Sequence, residues 1–184
     1  MEQLKELNRL YKMLIQSILF TEDECKGIID LKNKYPLLGD NGRWDQFDNF
    51  KYKYYSLDEY DDIHWIRKRL CDFFEEKKLL KLISKPYKLN LHHFTEGDEF
   101  GKHIDTGNPM KAWNIGIVLN DNFDGGDYII YDENDNKIVI DKKIGNVCLF
   151  QSQIPHEVTP VLSGERWSIA MFITNLHLQQ KNIL

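Results

Sequence analysis

Residues 156–174 read HEVTPVLSGERWSIAMFIT, and the alternation in the last nine of them decides the fold. In an extended segment Arg166, Ser168 and Ala170 share one face, while Trp167, Ile169, Met171 and Ile173 share the other, because successive strand side chains point to opposite sides. The large apolar row needs a covering layer. The small and polar row suits the inside of a barrel whose lumen is a site. One strand therefore asks for a barrel on one side and a packed support on the other.

Working back from this strand, a period of two extends to Pro86. Candidate strands are Tyr87–Phe94, Trp113–Asn120, Asp127–Tyr131, Lys137–Ile140, Asn146–Gln151 and His156–Pro160, ahead of Arg166–Thr174. They are separated by turn signals at Thr95-Glu96-Gly97-Asp98, Gly125-Gly126, Asn134-Asp135-Asn136 and Ser163-Gly164-Glu165. The first half reads helical. Leu4, Leu7, Leu10 or Tyr11, Leu14 and Ile18 recur at helical spacing. Thr21 with Glu24 forms a capping-box pattern for a second helix through Ile28, Ile29 and Leu31, ending near Lys34 because Pro36 disfavours helix at Tyr35. Ser56 with Glu59 repeats the pattern for a third helix carrying Ile63, Ile66, Leu70, Phe73 and Phe74. Helices first and short strands after predict an α+β domain. Residues 1–184 read as one domain, with 1–85 mainly helical support and 86–176 the β core. The irregular stretch 38–55, with Arg43, Trp44, Asp45, Phe47 and Asp48, reads either as a lid over a substrate or as an aromatic-anchored surface loop.

Composition narrows the partners. A chain of 184 residues suits one hydrophobic core. The net charge of −5 is spread along the chain with no basic stripe, which argues against a nucleic-acid partner. No apolar run reaches the roughly 18 residues needed to span a bilayer, and the N-terminus has no signal-peptide pattern. Cys25, Cys71 and Cys148 are odd in number and widely spaced, so free thiols in a reducing cytoplasm are expected. The oligomeric state is not legible.

Six histidines compete for any chemical role. His64 lies in a predicted helix and His177 near the end of the chain, both read as surface or packing residues. His92 and His93 are adjacent in a strand and point to opposite faces. In His103-Ile104-Asp105 the i, i+2 spacing puts imidazole and carboxylate on one face, where both can reach one ion. A third ligand must come from a distant strand, and His156 lies 51 residues beyond Asp105. Two imidazoles and a carboxylate are the donor set of the facial triad in non-haem Fe(II) oxygenases. Arg166, ten residues after His156, adds a planar fork suited to a second carboxylate. The alternative for Arg166 is a surface arginine paired with Glu165 or Glu157.

With the Glu96-Gly97-Asp98 turn before the triplet, the Gly125-Gly126-Asp127 turn and the segment from Gly145 to Arg166, residues 87–174 resemble the Fe(II)/2-oxoglutarate-dependent dioxygenases, in particular their prolyl 4-hydroxylase-like branch. The resemblance implies a double-stranded β-helix, or jelly-roll, barrel backed by the N-terminal helices. It implies that His103, Asp105 and His156 bind Fe(II), that Arg166 pairs with the far carboxylate of 2-oxoglutarate, and that Ser168 donates a hydrogen bond to it. Dioxygen is then the other co-substrate and ascorbate a stimulant. A carboxylate at Asp105 implies hydroxylation, since halogenating relatives carry a small residue there. One departure stands out. Many hydroxylases of this branch have a tyrosine that helps hold the co-substrate where this chain has Phe94. Asn90 and His92 share that face.

The expected activity is hydroxylation of an amino-acid side chain, in a peptide or a free amino acid, with proline first and with succinate and carbon dioxide released. Two other readings compete: a catalytically silent module that binds metal and 2-oxoglutarate, and a cupin-type metal enzyme that does not use 2-oxoglutarate.

Overall fold

The computed structural model describes residues 14–37, 39–40, 50–57, 60–76, 86–105 and 111–174. Strand β1 is Ile15–Ile18, and helix α1 is Glu22–Asp30, followed by a 3-10 turn at Leu31–Asn33. Three short strands come next, β2 Gly39–Asp40, β3 Phe50–Lys51 and β4 Lys53–Ser56, then helix α2 at His64–Glu76. The remaining strands are β5 Pro86–Phe94, β6 Glu99–His103, β7 Lys111–Val118, β8 Phe123–Gly125, β9 Tyr128–Tyr131, β10 Lys137–Val139, β11 Asn146–Gln151, β12 His156–Val158, β13 Val161–Gly164 and β14 Arg166–Thr174. Every pairing is antiparallel. A seven-stranded sheet runs β1-β11-β7-β14-β5-β4-β2, and a five-stranded sheet runs β10-β9-β12-β6-β3. The two sheets enclose the lumen of a jelly roll, and β13 and β8 form a separate two-stranded sheet.

Strand β14 does what its alternation predicts. Trp167, Ile169, Met171 and Ile173 join Leu89 and Leu91 of β5 and Ile115 and Ile117 of β7 in the main core, packed on Cys25 and Ile28 of α1 and on Ile66, Leu70, Phe73 and Phe74 of α2. Both helices thus back the outer face of the large sheet. The capping box at Thr21 is present: its hydroxyl accepts from the Glu24 amide at 3.3 Å, and the Glu24 carboxylate accepts from the Thr21 amide at 2.9 Å. Among the described residues no helix is long and apolar enough to cross a membrane.

The first half departs from expectation in two places. Residues 15–18, read as the tail of an N-terminal helix, form β1 and pair with β11 from Ile15↔Leu149 to Ile18↔Asn146. The backbone groups of β11 on that side need partners, and an added strand satisfies the whole row. Residues 1–13 lie outside the described residues, as do the expected lid residues Arg43, Trp44, Asp45, Phe47 and Asp48, and His177. Ser56 does not cap a helix. It ends β4, paired with Asn90, and α2 is entered through a 3-10 turn at Asp61–Ile63. Sheet pairing outweighs a local capping signal worth about 1 kcal/mol.

Gly145 sits where the approach to α1 crosses the large sheet. Its amide donates to Val118 O, and its carbonyl accepts from Leu19 N. Its φ is +78°, and a Cβ there would lie 1.9 Å from Phe20 O, whereas Gly97 (φ +82°) has open space around its missing Cβ. Gly97→Ala should therefore cost about 1 kcal/mol, the strain of the left-handed region alone. Gly145→Ala should cost at least ~2 kcal/mol more, because the backbone of Phe20 must also move. Urea unfolding midpoints of the two variants measure the gap.

Candidate metal and co-substrate site

Pairing within the small sheet sets two imidazoles side by side. His103 ends β6, His156 begins β12, and the two are direct partners across the strands, with ring centroids 4.2 Å apart. Each ring is oriented by its own backbone: His103 Nδ1 lies 2.7 Å from Gly101 O, and His156 Nδ1 lies 2.9 Å from Ile154 O. A carbonyl only accepts, so Nδ1 carries the proton in both rings and Nε2 keeps its lone pair, the form a metal requires. Asp105, two residues past His103, brings Oδ2 to 3.6 Å from His156 Nε2. One ligand atom from each of His103, Asp105 and His156 lies within 4.8 Å of the others. Two nitrogens and one oxygen on one side of a point fit Fe(II) with open positions on the other side.

The carboxylate is held from the opposite sheet. Asn114 of β7 donates from Nδ2 to Asp105 Oδ2 at 2.8 Å, and Ser152 donates from Oγ to Asn114 Oδ1 at 2.9 Å. Ser152 O also accepts from the Asp105 amide at 2.8 Å. Neither Asn114 nor Ser152 was singled out from the sequence. A signal existed for Asn114, a polar residue on the inward face of a strand whose outward face is Trp113, Ile115 and Ile117. Ser152 follows a strand end and carried none.

Arg166 lies further along the same lumen and is 5% exposed. Its Nε donates to Gly126 O at 3.0 Å and its Nη1 to Ser168 Oγ at 2.7 Å, with Phe94 under the guanidinium at 5.1 Å. Among the described residues no carboxylate lies within ion-pair distance of it. Glu165 accepts instead from Trp167 Nε1, and Glu157 from the Tyr131 hydroxyl, which removes the surface-pair alternative. Burial lowers the guanidinium to about 10, against the opposing pull of Tyr128, Cys148 and Asp127, so it stays charged at neutral pH. Because Ser168 Oγ spends a lone pair on Arg166, its own proton remains available to a ligand. A buried cation beside a free hydroxyl fits a carboxylate.

Between these ends lies a cavity of roughly 250 Å³ lined by Asp105, His156, Arg166 and Ser168 together with residues of both sheets. Four of the five predicted residues line this space, and His103 is the direct strand partner of one of them, His156. The other histidines divide as their strand positions require. His92 turns inward against Tyr52 at 4.7 Å, and His93 turns outward to stack on Trp167 at 3.8 Å. His64 is exposed beside Asp61. Tyr52 also stacks on Phe94 at 5.2 Å and meets Phe100 at 5.0 Å, making one wall of the lumen aromatic. Cys25 and Cys148 are buried, Cys71 is half-buried, and all three are free thiols.

Residues 89–174 match the family model described as the 2OG-Fe(II) oxygenase superfamily. PKHD-type hydroxylases from Shewanella baltica and Shewanella oneidensis are 30% and 31% identical over 96 residues, 46% of this chain and 42% of each relative. The chain spans less than half the length of the curated relatives it matches. Among solved structures, a prolyl hydroxylase from Trichoplax adhaerens, in complex with a hypoxia inducible factor peptide fragment, superposes with TM-score 0.75 at 19% identity, covering 98% of this chain and 90% of that one. A Pseudomonas putida prolyl-4-hydroxylase gives TM-score 0.70 at 13% identity, covering 92% and 95%. The likeness to the 2OG-Fe(II) oxygenase superfamily thus lies in the β half of the chain, and the fold is the jelly roll shared with these solved structures.

His92 ties the site to acid stability. Burial, then the Arg166 charge, lower it to about 3, with Asp105 pulling the other way. An unfolded histidine titrates near ~6.5. Between those values the unfolded chain binds a proton that the folded chain refuses, so this contribution is complete above about pH 6.5 and is lost as pH falls toward 3. Moving from pH 7 to pH 5 should cost about 2 kcal/mol through this group. His92→Phe should flatten that loss, as read from urea midpoints at the two pH values.

Proposed function

We propose that this chain is an Fe(II)- and 2-oxoglutarate-dependent hydroxylase, in which His103, Asp105 and His156 hold the metal while Arg166 and Ser168 bind the far carboxylate of 2-oxoglutarate. One observation carries the reading: a buried guanidinium with no counter-ion among the described residues shares a lumen with a two-nitrogen, one-oxygen cluster. An uncompensated buried charge costs several kcal/mol, and a dicarboxylate reaching from metal to Arg166 would remove that cost. When bound, iron and 2-oxoglutarate supply the activation of dioxygen, releasing succinate and carbon dioxide and delivering oxygen to a C–H bond.

The chain's own groups prepare for this chemistry. The carbonyls of Gly101 and Ile154 fix the two rings, and the Asn114–Ser152 pair fixes the carboxylate. Tyr52, Phe94 and Phe100 exclude water from one side. The carboxylate at Asp105 supports hydroxylation over halogenation. A silent binding module would not need this complete set.

For substrate we favour an amino-acid side chain in a peptide, with proline first. The relative from Trichoplax adhaerens was solved with a peptide fragment, and the Pseudomonas putida relative is a prolyl-4-hydroxylase. The lumen wall beyond Ser168 carries Ser56 and Asn90, neutral hydrogen-bonding groups that suit a peptide segment. The acidic chain, without a basic groove, does not suit nucleic acid. The helices packed on the barrel's outer face support a single functional domain, and three free thiols suit the cytoplasm.

With Fe(II), ascorbate and 2-oxoglutarate the protein should release succinate, and a peptide screen should reveal a gain of ~16 daltons on the substrate, the mass of one inserted oxygen. His103→Ala or Asp105→Ala should abolish turnover. Arg166→Ala should raise the 2-oxoglutarate concentration required by more than about tenfold. An unchanged requirement in Arg166→Ala would show the co-substrate assignment to be wrong.

A further inference from the structure

Phe94 puts a ring without an oxygen directly beneath Arg166, 5.1 Å from the guanidinium. A dicarboxylate in this lumen has two carboxylates and a keto oxygen to satisfy, and the Phe94 ring cannot donate. Another phenol faces the same space from the opposite sheet. Tyr128 begins β9, opposite Val158 of β12, two residue pairs along from the Ile130↔His156 pair. It lines the cavity together with Asp105, His156, Arg166 and Ser168.

The position of the Tyr128 ring is fixed by packing on three sides. Its edge meets Phe150 at 5.9 Å and His156 at 6.2 Å, both at steep interplanar angles. On the third side it lies over Gly116, where a Cβ would fall 2.8 Å from Tyr128 Cε1 and 2.9 Å from Cys148 Sγ. Any larger residue at 116 would push the ring aside, so the glycine admits it. Among the described residues nothing hydrogen-bonds its hydroxyl. A packed phenol thus faces a cavity between the His103–Asp105–His156 cluster and a guanidinium with no counter-ion among the described residues. Tyr128 is only partly buried, and its side chain is placed to meet a ligand in the cavity.

We propose that Tyr128 hydrogen-bonds the bound 2-oxoglutarate, supplying from β9 the phenol that Phe94 does not supply from β5. The proposal rests on the co-substrate reading above. Tyr128 binds the same ligand as Arg166 and Ser168, and its hydroxyl adds a neutral donor to their charged clamp. Gly116 is its structural complement: the ring occupies the volume that a side chain at 116 would fill. No part of the metal cluster depends on the hydroxyl.

The test compares the full chain, Tyr128→Phe and Tyr131→Phe, each loaded with Mn(II) in place of iron. Calorimetric titration gives the Mn(II) and 2-oxoglutarate dissociation constants without turnover. Tyr131, on the same strand, spends its hydroxyl on Glu157 at the surface. Tyr128→Phe should bind 2-oxoglutarate about tenfold more weakly, as expected for one lost hydrogen bond to a charged ligand. Its Mn(II) affinity should be unchanged, and Tyr131→Phe should match the parent in both. Equal 2-oxoglutarate affinity in Tyr128→Phe and the parent overturns the Tyr128 assignment alone. A parallel loss of Mn(II) affinity overturns it too, by making the phenol a support of the metal cluster. A parent chain that binds Mn(II) but not 2-oxoglutarate overturns the co-substrate reading and this proposal with it.

Discussion

Keeping a guanidinium charged inside a barrel places demands on everything around it. Arg166 keeps one carbonyl, one hydroxyl and an aromatic face, and no carboxylate among the described residues neutralises it. The arrangement is tolerable only where an anion can complete it. Its electrostatic effect reaches His92, helping to hold that ring neutral. Gly126, whose carbonyl takes the Nε hydrogen bond, has φ +57°, and a Cβ there would come within 3.0 Å of Arg166 Cδ. The glycine turn between β8 and β9 is therefore shaped to the arginine.

The support for this charge lies on the other side of the same strand. Residues 166–174 place Arg166 and Ser168 at the lumen and Trp167, Ile169, Met171 and Ile173 in the helix-backed core. Burying one such apolar side chain is worth about 1.5–3 kcal/mol. That burial holds β14 between β5 and β7, in the register that sets Arg166 opposite Phe94 and Ser168 opposite His92 and Val118. A slip of one residue would turn the cation into the apolar layer, so the core fixes the site's register.

The same two-residue period explains what could be read from the sequence. His103 and Asp105 share a face at i, i+2, Arg166 and Ser168 share another, and the glycine turns between strands are local signals; all of these are legible in one segment at a time. Strands β11 and β14 have the bounds their alternation predicts. What escaped depends on the meeting of distant segments. Ile15–Ile18 is a strand only because β11 offers it an edge, and Ser56 abandons a capping pattern because Asn90 lies beside it. Asn114 and Ser152 matter only once β7 and the turn after β11 are brought to Asp105. The fold class and the candidate donors were legible locally; the groups that orient those donors were set by tertiary structure.

The arrangement of those orienting groups has a mechanical consequence. The histidines belong to β6 and β12 of the small sheet, whereas the carboxylate, just past β6, is held by Asn114 and Ser152 on the β7 and β11 side. The three donors converge only if the two sheets are correctly spaced across the lumen. A ligand bridging these donors and Arg166 would in turn resist separation of the sheets, because species that bind only the folded state stabilise it by mass action. Convergence of the three donors and closure of the barrel are therefore one constraint, and a change in sheet spacing acts on both.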